Sequence, residues 1–253
     1  MPRAPMTPPS SLRVTRVIHA CVLIELGDAA VLTDPYFMSH WWMRMREPIA
    51  LRPDQLPRLT AVLGGHGVFD HWRPQSMGAY PHKDTTPAWV ATPGMVRAAR
   101  AAGFADAEVV DWGTRRALTD AVTLDVVVGQ RTMGMRTNSY ALRGPGASVF
   151  VGTEAHAHQP LADYRAARGP VDVAVLPIDG SRFLGRPLVM DPAQAVAGAQ
   201  ALGASTLIPI HYGMVAVPFV LRTPGTLDAL QAAAEGSGVR VVVLVPGQPW
   251  RRH

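Results

Sequence analysis

Apolar residues recur along the chain in strand-length runs separated by turn residues. Arg13–His19, Cys21–Leu26 and Ala29–Thr33 read as β-strands, and Gly27-Asp28 between the last two is a tight hairpin signal. Residues 36–57 follow no period; their adjacent tryptophans, methionines and scattered prolines suit a long functional loop. A buried-looking strand, Thr60–Leu63, runs into GGHGVFDHW. Strand Trp89–Ala91 then leads to a helix from Pro93 to Ala102 that Gly103 ends. Short turns make Ala107–Asp111, Val122–Val128, Ser139–Arg143 and Ser148–Val151 antiparallel strands. A helix over Pro160–Ala167 precedes strand Val173–Pro177, and Asp191 caps a helix to Leu202 that Gly203 closes. Strand Thr206–Ile210 runs into HYGM, and a last helix over Thr226–Glu235 precedes strand Val239–Val245. The pattern predicts two mixed sheets facing each other with helices outside, in a single domain over residues 12–253. Residues 1–11, rich in Pro and Ser, read as a flexible leader to it.

Composition narrows the class. At 253 residues, with 48% hydrophobic and 17% charged residues, the chain can bury a sizeable core and is no disordered segment. Runs such as Leu207–Ile210 and Val241–Val245 fall far short of the roughly 18 apolar residues of a membrane span. The N-terminus has no apolar secretory core. The lone cysteine, Cys21, permits neither an intrachain disulfide nor a cysteine-rich zinc knuckle, so the expected address is the cytoplasm. The net charge of +5 rests on dispersed arginines, Lys83 being the one lysine. That reads as a solvated surface, with a small molecule rather than nucleic acid as the partner.

The densest chemistry is His66-Gly-Val-Phe-Asp70-His71, where an apolar strand ends in glycine-rich backbone. Two imidazoles and a carboxylate can converge on a cation if the loop turns sharply, which Gly64, Gly65 and Gly67 allow. His211 again follows an apolar strand, and so does the segment Gly152–His158 carrying Thr153, Glu154, His156 and His158. Three strand ends that each deliver His or a carboxylate are what a metal site on a sheet edge needs. His156 and His158, and more firmly His19, His40, His82 and His253, read as surface or hydrogen-bonded residues. The Met and Trp residues of 37–45 read as pocket wall or packing.

These segments together resemble the metallo-β-lactamase superfamily. The resemblance is greatest to the branch with the phosphorylated-ascorbate lactonases and the N-acyl phosphatidylethanolamine phospholipases. It runs in order over residues 13–215: RVIHACVLIELGDAAVLTDPYF, then LPRLTAVLGGHGVFDHW, SVFVGTEAH, VDVAVLPIDG and MDPAQAVAGAQALGASTLIPIHYGM. It implies an αβ/βα sandwich of two mixed sheets flanked by helices, with the site at one edge. Such enzymes hold two metals in a His-x-His-x-Asp-His motif and its partners. Here His66, Asp70, His71 and His211 fall on ligand positions, but Val68 stands where the second motif histidine belongs. Gln130 or Arg131 takes the place of a mid-chain histidine, and Thr153 that of a bridging aspartate, with Glu154 beside it. By this count the first metal site is empty, and the second keeps Asp70, His71 and His211, with Glu154 able to complete it.

The resemblance therefore implies a hydrolase of a lactone, amide, thioester or phosphoester with one divalent metal, zinc first and manganese or iron next. Asp70 and His71 would hold the ion with His211. Arg131 either occupies the vacated region and stabilises an oxyanion or points to solvent. Asp34 is expected to orient ligating histidines, and the 36–46 segment to border the pocket. The loss of ligand positions keeps a second reading open: a metal-poor, non-hydrolytic biosynthetic enzyme (cyclase, dehydratase or isomerase) or a binding protein. Exposed Trp and Met of 37–45 would favour a homo-oligomer.

Overall fold

The computed structural model describes residues 12–39, 45–132, 134–215, 217 and 220–252. The N-terminal leader 1–11, His40, the tryptophan pair and His253 lie outside those residues. The chain opens with β1 (Leu12–Ile18), β2 (Cys21–Leu26) and β3 (Ala29–Thr33), an antiparallel meander whose second turn uses Gly27 at φ 59°. It continues in parallel fashion through β4 (Ala61–Gly64), β5 (Ala88–Val90), α1 (Pro93–Ala101) and β6 (Ala107–Val109). A short β7 (Arg115–Ala117) leads to the long hairpin β8 (Thr123–Thr132) and β9 (Met135–Gly144), then β10 (Ala147–Val151). Next come α2 (Gln159–Arg168), β11 (Val173–Pro177), and a small hairpin of β12 (Arg182–Phe183) and β13 (Arg186–Pro187). The chain ends with α3 (Pro192–Leu202), β14 (Thr206–Ile210), β15 (Leu221–Arg222), α4 (Leu227–Ala234), β16 (Arg240–Val241) and β17 (Trp250–Arg251).

Two seven-stranded sheets result, in the orders β17-β1-β2-β3-β4-β5-β6 and β16-β14-β11-β10-β9-β8-β7, and a third of β13-β12-β15. Residues of both large sheets, among them Val22, Ile24, Leu63, Leu124, Tyr140, Val151 and Ile208, form the apolar layer between them. A second layer seals α1 against the first sheet, and a third seals α2, α3 and α4 against the second. Burial on both faces explains why VAVLP and TLIPI read as unbroken apolar runs rather than alternating ones. The predicted helix and strand pattern matches this architecture. There are exceptions. Ala107–Asp111, expected to be antiparallel, is instead β6 running parallel to β5, because α1 carries the chain across between them. Of Val239–Val245 only Arg240–Val241 pairs, at the sheet edge beside β14. The short β7, β12, β13, β15 and β17 were not expected.

One end of this sandwich collects the chemistry. Strands β1, β3, β4, β10, β11 and β14 all terminate at the same edge. Among the bonds that fasten the sheets there, Tyr140 Oη donates to Gly64 O at 2.8 Å, and Asn138 N to Gly65 O at 2.9 Å. Gly65 is required by that close approach, not by a sharp turn, for neither Gly64 nor Gly65 has a positive φ. A Cβ on Gly65 would stand 2.0 Å from Thr153 Oγ1 and 3.0 Å from Asn138 O. Gly65→Ala is expected to cost about 1–3 kcal/mol through overpacking, measured by urea unfolding.

Candidate metal centre

Each side chain of the site follows the last residue of an apolar strand. His19 ends β1, Asp34 ends β3, His66 and the Asp70-His71 loop follow β4, Glu154 follows β10, Asp179 follows β11 and His211 ends β14. His19, Asp34 and His211 have φ of 49°, 42° and 54°, a left-handed conformation that is uncommon outside glycine and recurs at functional sites. His211 N donates to His19 O, joining the ends of β1 and β14 across the two sheets.

The donor atoms converge. His71 Nε2 lies 3.1 Å from His211 Nε2 and 2.9 Å from Glu154 Oε1, which in turn lies 3.6 Å from His211 Nε2. His66 Nδ1 stands 3.3 Å from Glu154 Oε1, and His19 Nε2 3.4 Å from Asp70 Oδ2. Two donors on one tetrahedral ion at about 2.0–2.1 Å would be about 3.4 Å apart, so these separations suit a shared cation. His19, Asp70, His71 and His211 form one such group, and His66, His71 and Glu154 another. All eight side chains named at these strand ends are buried.

The far nitrogens are committed elsewhere. Asp34 Oδ2 accepts from His71 Nδ1 at 2.7 Å while its Oδ1 accepts from Gly65 N at 2.6 Å. His211 Nδ1 faces Asp179 Oδ2 at 3.2 Å, and Asp179 Oδ1 accepts from Ser181 N and Oγ. A carboxylate behind each imidazole fixes the proton on Nδ1 and leaves the Nε2 lone pair for a ligand. With Nδ1 occupied, His71 has one lone pair and can serve one ion only. Both ring nitrogens of His66 and of His19, and Glu154 Oε2, are buried without a hydrogen-bond partner. Buried polar atoms are rarely left so, and a bound cation would take up one nitrogen of such a ring.

The electrostatics favour charged imidazoles beside charged carboxylates, and a cation would take the place of the Nε2 protons of His71 and His211. Burial would push His71 down, but Asp34 and then Glu154 raise it well above the ordinary histidine range. His211, likewise opposed by burial, is raised to about 10 chiefly by the Asp179 charge. Burial would raise Glu154, yet the imidazoles of His211, His66 and His71 beside its carboxylate hold it well below the carboxylate range. Asp70 is held low against burial by His19 and His71. His19 runs the other way: burial and the neighbouring His211 lower it to about 4, leaving a neutral imidazole.

The structure thus brings together the sequence candidates His66, Asp70, His71, Glu154 and His211. Asp34 stands behind His71 as expected. His158 bonds Gln194 O, and His156 lies outside both donor groups. Two residues were missed. His19 was set aside as a surface or hydrogen-bonded histidine, and Asp179 was not singled out. Both carry the signal that marked His66 and His211, a polar residue directly after an apolar strand. Arg131 is exposed on β8, just past a register shift between Val128 and Arg131, so the solvent-facing alternative holds. Arg131→Met is expected to leave kcat/KM within about twofold, as exposed substitutions usually do.

A cavity of about 380 Å³ opens onto His66, Asp70, Glu154 and His211. Among the described residues its other walls are Val68 and Phe69, Ser181, Phe183 and Leu188 of the small hairpin, and Met214, Val215, Val217, Val220 and Leu221. The expectation that segment 36–46 borders the pocket is corrected for its described part. Met45 reaches only as far as a bridge to Met214, and Tyr36 is buried under the first sheet.

Residues 29–212 match the model of the β-lactamase superfamily domain. The chain belongs to the metallo-β-lactamase superfamily. A protein of Mycobacterium tuberculosis described as uncharacterised is 26% identical over 96% of this chain and 71% of its own length. A UPF0173 metal-dependent hydrolase of Methanosphaerula palustris is 29% identical over 79% of this chain and 84% of its own. An isothiocyanate hydrolase from Delia radicum gut bacteria shares the fold with TM-score 0.74 at 14% identity, over 95% of this chain and all of that one. Superfamily membership places the chain among metal-dependent hydrolases, and its His/Asp/Glu cluster fits a divalent metal. Among the described residues no helix is long and apolar enough to cross a membrane.

Proposed function

We propose that this superfamily member is a single-metal hydrolase of an uncharged small molecule with an apolar portion: a lactone, amide or thioester in preference to a phosphoester. The observation that carries the reading is the cavity, whose walls are apolar and whose charged or titratable groups are those of the candidate site alone. No Lys or Arg lines it among the described residues, so a phosphate would find no cationic partner there.

His71, His211 and Asp70 would hold the ion, with Glu154 in reach of it. A bound divalent metal would polarise the scissile carbonyl and make attacking water more acidic. Asp34 and Asp179 keep the two imidazoles turned with Nε2 inward. Glu154, kept ionised by three imidazoles, has Oε2 free to accept the proton of the attacking water. His66 lines the cavity with its Nδ1 3.3 Å from Glu154 Oε1, so it can take that proton from Glu154 at one ring nitrogen and give one to the leaving group from the other. Val68, Phe183 and Met214 exclude water from the far side of the substrate.

The test is a panel of lactones, thioesters, amides and aryl esters of graded acyl length beside phosphomonoesters and phosphodiesters, with zinc- or manganese-loaded protein. Each methylene buried in the cavity is worth about 0.8 kcal/mol, so kcat/KM should rise about fourfold per carbon until the cavity fills. Preference for a phosphoester, or indifference to chain length, would overturn the reading.

A further inference from the structure

His19 is fully buried, yet neither ring nitrogen has a hydrogen-bond partner. Its Nε2 lies 3.4 Å from Asp70 Oδ2, short of the alignment of a hydrogen bond, and its Nδ1 has no hydrogen-bond partner. Its ring lies 3.9 Å from that of His211 and 5.5 Å from that of His71, centroid to centroid. One ligand atom from each of His19, Asp70, His71 and His211 falls within 4.8 Å of every other. The residue sits in left-handed backbone at φ 49° in the turn between β1 and β2, as Asp34 and His211 do just after β3 and β14.

We propose that His19 is a further ligand of the ion held by Asp70, His71 and His211, an imidazole brought in from the β1–β2 turn. The charge count favours this donor. Asp70 and Glu154 already balance a divalent cation, so an added donor in a dry site has to be neutral, as imidazole is. A fourth protein donor also releases Glu154 for the proton of the attacking water. The inference rests on the single-metal reading above.

The experiment is X-ray absorption on zinc-loaded full-length protein, with a zinc titration, for wild type and His19→Asn. Asparagine tolerates positive φ but is too short to place a donor where Nε2 stands. The expected wild-type count is three imidazoles. In the variant it falls to two, and the zinc dissociation constant rises by more than about 100-fold, beyond the 10–100-fold of a residue that only orients a ligand. His66→Asn is measured beside it: a count that stays at three there assigns the third imidazole to His19 even if His19→Asn does not fold, and a fall to two assigns it to His66 and overturns the role of His19. Two imidazoles in wild type, or an unchanged count in folded His19→Asn, overturns the role of His19 and leaves the single-metal reading intact. Failure of wild type to take up zinc, manganese or iron overturns both.

Discussion

Asp34→Asn is expected to weaken metal binding by about 10–100-fold and to lower turnover by up to about 10⁴-fold, although the two side chains have the same shape. Asp34 is fully buried and both its oxygens accept: one from Gly65 N, the other from His71 Nδ1. An amide keeps one acceptor and turns the other atom into a donor. If the new NH₂ faces Gly65, two donors confront each other in a dry interior, at a cost of about 1–3 kcal/mol. If it faces His71, Nδ1 must accept, and the ring proton moves to Nε2. That proton then occupies the lone pair pointed at His211 Nε2 and Glu154 Oε1. Either way the damage reaches the site through one hydrogen bond. Zinc titration and kcat/KM measure it, and nitrogen NMR of the imidazole reports the tautomer. Wild-type affinity with the His71 proton still on Nδ1 would show that Asp34 orients nothing.

The fold was legible because the sandwich makes each strand nearly independent of context. β3, β11 and β14 are buried on both faces and read as apolar runs, and α3 carries its own boundaries in Asp191, which accepts from Gln194 N, and Gly203 at φ 69°. The positions of His66, Asp70, His71 and His211 were legible for the same reason, since a polar residue right after such a run has to sit at the sheet edge. His19 obeys that rule too. It escaped because β1 is antiparallel to β2, and only the assembled sheet shows that its end lies beside the ends of β3 and β4. The cavity wall was not legible for a different reason. β12, β13 and β15 are two residues each, too short for any period to register. Their hairpin turns at Leu184 and Gly185, both at positive φ, where leucine gives no turn signal. The tryptophan-rich segment stands out by its composition, while the described wall is built from scattered valines at 215, 217 and 220 and phenylalanines at 69 and 183.

Glu154→Gln should lower kcat by about 10²–10⁴-fold even when metal is supplied to saturation. Glutamine fits the same space, and its carbonyl oxygen can still face His71 and His211. It has no negative charge for the three imidazoles to stabilise and cannot take a proton from water. The carboxylate of Glu154 is held ionised in a buried site by His211, His66 and His71, so the change removes a charge that the surroundings were built to support. Metal affinity should fall as well, because one of the two charges balancing the cation is gone. The two losses separate by titration: added zinc restores occupancy but not turnover. Glu154→Asp retains the charge one methylene further back, and should recover metal affinity more than rate. Full turnover of Glu154→Gln at saturating zinc would sink the assignment of proton transfer to this carboxylate. Asp70, the other carboxylate on the cavity lining, would then be the group to which the proton goes.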